Sequence, residues 1–588
     1  MTYSASPRGR TISRRLVPIT LLAAGIGILG GIIAKALLSL IALVSNLVFR
    51  GQVDAHLIPP ATDHLGLLVI IAPILGALVV GLMARHGSSA IRGHGIPEVM
   101  ERVLFSESRI GLRVMLFKPL SAAIAIGTGG PFGAEGPIIA TGGAIGSVLG
   151  SRLRITADER RTLLAAGAAA GMAATFGTPV AAVLLAVELL LFEYRARSII
   201  PVAFAASTAT AVRLLIIEQG PVFPMAHFPE PSWSALLSYV LIGAMIGLVS
   251  VGVTKVVYGI EDLFERLPLH WMWWPALGAL PVGLLGYFEP RILGVGYDVI
   301  RDILLGDLLG WGLLALILLK FVAWSIYLGS GTSGGTLAPL FIIGGGLGAM
   351  VGSIAAALWP SLGISVPVAG LVGMAAMFAG ASHALLASVI FAFEATREPS
   401  GLLPLLAGCS SAYMISILLM RTSIMTEKLA RRGTPIPSEY AIDHLALVPV
   451  EDAMTREVIS VGRDELLATF VARFERDAAY LSHQGFPVLD PAGHLVGVIT
   501  RRDLAHAGPD DLTVGHLITR PPTVTYPTNS LRDAADHMIR ERVGRLPVVD
   551  RETGALLGII TRSDLLAGHE RRLRGTEQID RSRMQEGR

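Results

Sequence analysis

Long apolar stretches separated by short polar ones fill the first part of the chain. The first runs from 16 to 49, and Lys35 is its only charge before Arg50. Further apolar segments fall near 65–84, 112–126, 138–150, 162–192, 198–216, 235–257, 273–287, 308–328, 337–358, 365–394 and 402–420. A full helical crossing of a bilayer takes roughly 20 residues. Many of these segments are shorter, and many are interrupted by Gly and Pro. Irregular backbone survives inside a membrane only where protein or a water-lined cavity satisfies it. The pattern therefore predicts broken helices around a transport pathway. Beyond residue 432 the pattern changes to short β-branched runs, turns and helix starts, which predicts a separate α/β unit.

Charge follows the same division. Of the 156 residues in 433–588, 42 are Asp, Glu, Lys or Arg, against 51 in residues 1–432. This is a membrane body followed by a soluble tail. A hydrophobic share of 52% and a mean hydropathy of +0.61 exclude a disordered chain and a simple soluble enzyme. A net charge of +3 is too small to point to nucleic acid. The single cysteine, Cys409, supplies neither an intramolecular disulfide nor a Cys-based metal site. Arg8, Arg10, Arg14 and Arg15 precede the first apolar stretch, which is too long for the ~7–15-residue core of a secretory signal. The chain reads as a multi-pass cell-membrane protein, with the lipid bilayer as solvent and both termini cytoplasmic.

The body also repeats itself. Gly127, Gly129, Gly133 and Pro137 match Gly329, Gly331, Gly335 and Pro339 at an offset of 202, and Gly171-Met-Ala-Ala174 matches Gly373-Met-Ala-Ala376 at the same offset. After a shift of four, Ala181, Val183, Ala186 and Glu188 match Ala387, Val389, Ala392 and Glu394. Two halves built alike are a mark of transporters with repeats related by a pseudo-two-fold axis.

Three Gly-rich elements each precede an apolar run: Gly93-His-Gly-Ile-Pro97, Gly133-Ala-Glu-Gly-Pro137 and Gly331-Thr-Ser-Gly-Gly-Thr-Leu-Ala-Pro339. Gly allows close backbone approach, and Pro suits the first turn of a helix. A helix that starts inside the membrane presents unpaired N–H groups and about half a positive charge. Several such starts aimed at one point make an anion site without a fixed cation. Glu135 lies in the second element. A carboxylate at membrane depth is a functional candidate. Ionised, it occupies the anion site; protonated or swung away, it admits the ion. The alternative is a helix-start Glu stabilised by the dipole alone.

These three elements, in this order and with the repeat, resemble the CLC family of chloride channels and chloride/proton antiporters. The resemblance covers about residues 16–431. It implies a homodimer with one anion pathway per subunit. It implies that backbone near His94, Gly95 and Ile96, near Gly133, Ala134 and Gly136, and near Thr336 and Leu337 faces the anion, with Glu135 as the gating glutamate. The chain also departs from the family. His94 stands where Ser is common, either as a hydrogen-bonded packing residue or as an N–H donor that makes transport pH-sensitive. Leu337 stands where Phe is common. Met425 aligns with the family's pore-facing Tyr and offers no hydroxyl, so the preference for chloride over another anion is open. Antiporters typically carry a second Glu straight after the position of Glu188, where it passes protons. Here that internal proton position is lost to Leu189. This favours a channel-like pathway, with exchange by a non-standard proton route as the alternative. Glu188 and Glu394 are expected to be hydrogen-bonded at helix ends.

The tail holds two similar units. Phe486-Pro-Val-Leu-Asp490 with Gly497-Val-Ile-Thr-Arg-Arg-Asp-Leu504 recurs as Leu546-Pro-Val-Val-Asp550 with Gly558-Ile-Ile-Thr-Arg-Ser-Asp-Leu565. The pair resembles tandem CBS domains. That resemblance implies contacts from Thr500, Asp503, Thr561 and Asp564 to a nucleotide, with an adenine nucleotide as the expected ligand. Helix capping alone is an equal alternative for these four residues.

The expected fold is thus a polytopic all-α membrane protein with two inverted repeats and broken helices (the CLC fold), plus a cytoplasmic α/β tandem CBS module. The expected divisions are a cytoplasmic N-terminus 1–15, a transmembrane domain 16–431, a linker 432–450, CBS domains 451–508 and 513–570, and a charged tail 571–588. The expected role is transport of chloride or a similar anion, with no required cofactor. A CBS-regulated cation transporter would need more acidic residues along the pathway than this body has. A hydrolase using Glu135 and His94 would need a nucleophile or metal set that the sequence does not offer.

Overall fold

The computed structural model describes residues 4–5, 15–60, 65–105, 108–217, 220–433, 445, 448–481, 483–505 and 512–567. Most of the 432–450 segment and all of 571–588 lie outside these. The chain forms two units, one of residues 14–440 and one of residues 441–588 with 1–13.

The first unit is helical: α1 (Leu16–Arg50), α2 (Leu68–His86), α3 (Ile96–Phe105), α4 (Leu112–Gly127), α5 (Glu135–Arg152), α6 (Ala157–Phe176), α7 (Pro179–Leu185), α8 (Ala196–Ile216), α9 (Trp233–Glu265), α10 (Trp274–Phe288), α11 (Tyr297–Leu305), α12 (Gly310–Gly329), α13 (Leu337–Leu358), α14 (Val366–Ser382), α15 (Leu385–Thr396), α16 (Leu402–Leu419) and α17 (Glu427–Arg431). Among the described residues, seven helical spans are long and apolar enough to cross a bilayer: α1, α2, α8, α9, α12, α13 and the span Pro399–Leu419 that contains α16. With 35 residues, α1 is roughly 50 Å long and exceeds a ~30 Å hydrocarbon core, so it crosses at a tilt or projects beyond it. Exposed Leu21, Leu237, Leu241 and Leu418 lie on the outer faces of such spans, as a lipid solvent allows.

Two stretches that read as continuous in sequence are broken. The apolar run 162–192 divides at Gly177, in the left-handed region at φ 67°, into α6 and α7. The run 365–394 divides at His383, at φ 60°, into α14 and α15. Gly177 and His383 occupy matching repeat positions, so each half bends its helix at the same place. A glycine accepts this conformation freely, whereas a histidine adopts it much less often.

The repeat is visible in the packing. Helix α1 packs on α6 and α8, as α9 packs on α14 and α16; α5 pairs with α6, as α13 pairs with α14. Close approach depends on glycine. A Cβ on Gly142 would overlap the Gly167 carbonyl between α5 and α6, and one on Gly344 would overlap the Gly373 carbonyl between α13 and α14. Small residues at helix contacts are what membrane packing uses in place of a hydrophobic driving force.

The second unit contains short strands β1 (Ser4–Ala5), β2 (Val461–Gly462), β3 (Gly485–Leu489), β4 (Leu495–Thr500), β5 (Thr523–Val524), β6 (Arg545–Val549) and β7 (Leu556–Thr561). β3 and β4 form an antiparallel hairpin with β2 added in parallel, and β6 and β7 form the equivalent hairpin. Ser4 and Ala5, within the segment expected to be a cytoplasmic N-terminus, form β1, which pairs in parallel with β5. Asp490 and Asp550 close the two hairpins. Their carboxyls lie below the usual carboxylate range, held there by the N–H groups of His494 and Thr553 respectively.

Candidate functional site

Three loops meet in the middle of the helical unit. Gly93 donates its N–H to the Thr332 carbonyl at 2.9 Å and pairs with Ser333 in a parallel bridge. Gly335 donates to the Gly133 carbonyl at 2.9 Å, and Gly133 donates back at 3.4 Å. Gly95 and Gly136 lie so close that a Cβ on Gly136 would overlap the His94 carbonyl oxygen, and would lie 3.2 Å from Gly335 Cα. The starts of α3, α5 and α13 are thereby brought together. The three Gly-rich elements singled out in the sequence form one cluster, not three separate loops.

Within it, Gly95, Ile96, Gly133, Ala134, Gly136, Thr336 and Leu337 are all buried. Gly93 and Gly95 adopt φ 88° and 96°, which only glycine takes without strain. Glu98 closes the first turn of α3 by accepting the Gly95 N–H at 2.8 Å, and its other oxygen faces Lys428 Nζ at 3.3 Å. The Thr336 hydroxyl is buried without a hydrogen-bond partner.

Glu135 opens α5 and is fully buried. Its Oε1 accepts the Tyr297 hydroxyl at 2.8 Å. Its Oε2 has no hydrogen-bond partner and lies against Gly133 and Gly335, where a Cβ on Gly335 would approach it to 2.9 Å. The Ala338 N–H, in the first turn of α13, faces the carboxyl. The carboxylate therefore sits among helix starts, a place that favours a small anion.

Tyr297 was not among the residues singled out in the sequence. It opens α11, a short helix that an apolar count passes over. Ile91, Gly93 and Gly95 recur as Ile292, Gly294 and Gly296 at an offset of 201, which sets Tyr297 opposite Ile96, and that match was the available signal. The structure makes it explicit. Lys118 Nζ donates to the Ile91 and Gly93 carbonyls at 2.8 and 2.7 Å, and Lys320 Nζ donates to those of Ile292 and Gly294 at 2.8 and 3.1 Å. Two buried lysines, one in each half, hold the loops before α3 and α11. A fourth helix start thus joins the cluster.

A cavity lies on each side. One, of about 180 Å³, is lined by Pro59, Pro60, Arg291, Gly294, Tyr297 and Asp298. The other, of about 370 Å³, is lined by Arg92, His94, Glu98, Glu261, Glu265 and Lys428. The first adjoins the loop after α1 and the second the loop after α2, so they open to opposite faces. His94 is buried, its Nδ1 has no hydrogen-bond partner, and it lines the second cavity. Met425 is buried in the turn before α17, and its neighbour Ile424 lines the same cavity.

Leu189 sits in a π-helical turn, Ala186–Leu191, within the apolar core. Glu188 accepts the N–H groups of Leu386 and Ala387 at 3.0 Å each, at the start of α15. Glu394 accepts those of Val180 and Ala181 at 3.1 and 2.8 Å, at the start of α7. Each carboxylate caps a helix of the opposite half.

In the second unit, Asp503 accepts from the Thr500 N–H and hydroxyl at 2.7 Å each, and Asp564 accepts from Thr561 at 2.7 and 2.8 Å. All four residues are engaged in helix caps. Among the described residues, no group of three His, Cys, Asp or Glu side chains is placed to hold a metal ion.

Comparison with known proteins follows the same division. A family model described as voltage gated chloride channel matches residues 75–417, and the CBS domain matches 450–510 and 514–569. A ClcB-like chloride channel protein of Ralstonia nicotianae is 30% identical over 368 residues, which is 62% of this chain and 85% of that protein. An H(+)/Cl(-) exchange transporter ClcA of Salmonella arizonae is 29% identical over 452 residues, 74% of this chain and 94% of its own. Among solved structures, a slow cyanobacterial Cl-/H+ antiporter matches with a TM-score of 0.64 at 25% identity, over 71% of this chain and 98% of its own. A eukaryotic CLC transporter shares the fold over 94% of this chain and 98% of its own, with a TM-score of 0.59 at 20% identity.

Proposed function

The chain belongs to the voltage gated chloride channel family, and from that membership we propose that it carries chloride or a similar small anion across the cell membrane, with Glu135 as the gate. The observation that carries this reading is the Glu135 carboxylate lying among the starts of α5, α11 and α13. An ionised carboxylate there stands where a permeant anion would be held, and the two exclude each other. Protonation removes the charge that keeps it in place, and the backbone N–H groups then serve the ion. The anion's contacts come from the backbone near His94, Gly95 and Ile96, near Gly133, Ala134 and Gly136, and near Thr336 and Leu337. Binding by dipoles instead of a fixed cation suits passage, because it is strong enough for capture and weak enough for release.

The pathway is channel-like. Leucine carries no proton, and Leu189 is packed into the core. Glu188 already spends both its oxygens on the start of α15. The second reading is anion/proton exchange, favoured by the exchange transporters among the relatives. Its proton would enter by the His94 cavity, which Glu98, Glu261 and Glu265 also line. Reversal potentials in planar bilayers separate the two. With fixed anion gradients, imposing a pH gradient leaves the reversal potential of a passive pathway unmoved. A shift with the gradient assigns coupling.

His94 faces a cavity and leaves Nδ1 unpaired, which supports a role as a donor to the anion. His94→Ser is expected to change the chloride-to-nitrate permeability ratio by about threefold, the scale of one altered hydrogen bond. An unchanged ratio assigns His94 to packing. The protein acts as a homodimer with one pathway per subunit, with both termini cytoplasmic. It is a transport protein rather than an enzyme. The CBS module regulates it, with an adenine nucleotide as ligand and the Thr500 and Thr561 helix starts toward its phosphates.

A further inference from the structure

Among the described residues, Tyr297 is the only side chain that hydrogen-bonds the Glu135 carboxyl. Resting on Glu135 as the gate, we propose that Tyr297 is the latch of that gate, a positioning residue whose hydroxyl holds the carboxylate in the anion's place.

A phenol O–H donates more strongly to a charged carboxylate than to a neutral acid. The bond therefore favours the blocking form. It is also held from behind. The Tyr297 ring packs edge-on against Phe176 and Phe223, with centroids at 5.8 and 6.0 Å, and Phe176 packs edge-on against Phe391 at 4.9 Å. Its backbone follows Gly296 at φ 77°, in a loop whose carbonyls at Ile292 and Gly294 are taken by the buried Lys320 Nζ. The hydroxyl cannot follow a departing carboxylate without unpacking three rings. The carboxylate is the part that moves, and the Tyr297 oxygen is the fixed point it returns to. Tyr297 also lines the smaller cavity, so an ion arriving from that face meets the latch before the gate.

The latch and the ion compete through Glu135, which fixes the form of the test. Chloride flux is measured in proteoliposomes over a range of chloride concentrations. Tyr297→Phe keeps the ring and removes the donor. It is expected to lower the half-saturating chloride concentration by about tenfold, the factor for one hydrogen bond lost to a charged acceptor, and to leave the maximal rate nearly unchanged. A residue that only packs would lower the maximal rate instead. In a Glu135→Ala background, Tyr297→Phe should add nothing. Replacing Tyr297 by 3-fluorotyrosine, a stronger donor of the same shape, should raise the half-saturating concentration. The latch is overturned by an unchanged half-saturating concentration in both Tyr297 variants, or by the same shift in the Glu135→Ala background. If Glu135→Ala alone transports as the native chain does, the gate itself falls. If it transports faster while the Tyr297 variants do nothing, only the latch falls.

Discussion

Proteoliposomes carrying Glu135→Gln should move anion at a rate that no longer falls as pH rises. In the native chain, high pH keeps Glu135 ionised and seated among the helix starts, so flux declines. Low pH protonates it and frees the site. Glutamine has the same shape but no charge to compete with the ion. Each hydrogen bond to a charged group is worth about 1.5–3 kcal/mol, and about 1.4 kcal/mol is a factor of ten. The variant should therefore exceed native flux by at least about tenfold above neutral pH and match it in acid. A native pH profile in the glutamine protein would remove Glu135 from the gate and leave it as a helix-start residue.

Gly136→Ala should lower flux by about tenfold or more. Its new methyl group would overlap the His94 carbonyl oxygen and crowd Gly335 Cα, at the point where three loops are joined. Overfilling a packed site costs about 1–3 kcal/mol in displaced backbone. Here the displaced backbone is the anion site itself, so the N–H groups separate and lose their common focus. Gly143 lies in the same helix, and a methyl group there meets nothing closer than 3.6 Å. Gly143→Ala should transport at the native rate. Equal flux from the two variants would mean that the meeting of the loops does not shape the pathway.

Much of this arrangement was legible in the chain. The long apolar runs became helices, the three Gly-rich elements met, and Glu135 was marked by its depth. What escaped notice has physical causes. Helix α11 is short and amphipathic, so an apolar count dilutes it, and Tyr297 went unseen with it. The exact breaks at Gly177 and His383 lie within apolar runs that hold several other Gly and Pro residues, so composition alone does not mark which residue turns left-handed and bends the helix. Glu188 and Glu394 could be expected at helix ends, but only the fold shows that each serves the other half. Thr500 with Asp503, and Thr561 with Asp564, are residue types that suit capping and phosphate binding alike, so sequence left both readings standing.

That exchange of carboxylates between halves restricts how the protein can work. Many carriers swing one half against the other to expose a central site by turns. Here such a swing would pull Glu188 from Leu386 and Ala387, and Glu394 from Val180 and Ala181, in the same stroke. Four charge-assisted bonds would break at once in a medium with little water to replace them. The two halves are clasped as a single frame, and whatever opens and shuts must be small enough to move within it.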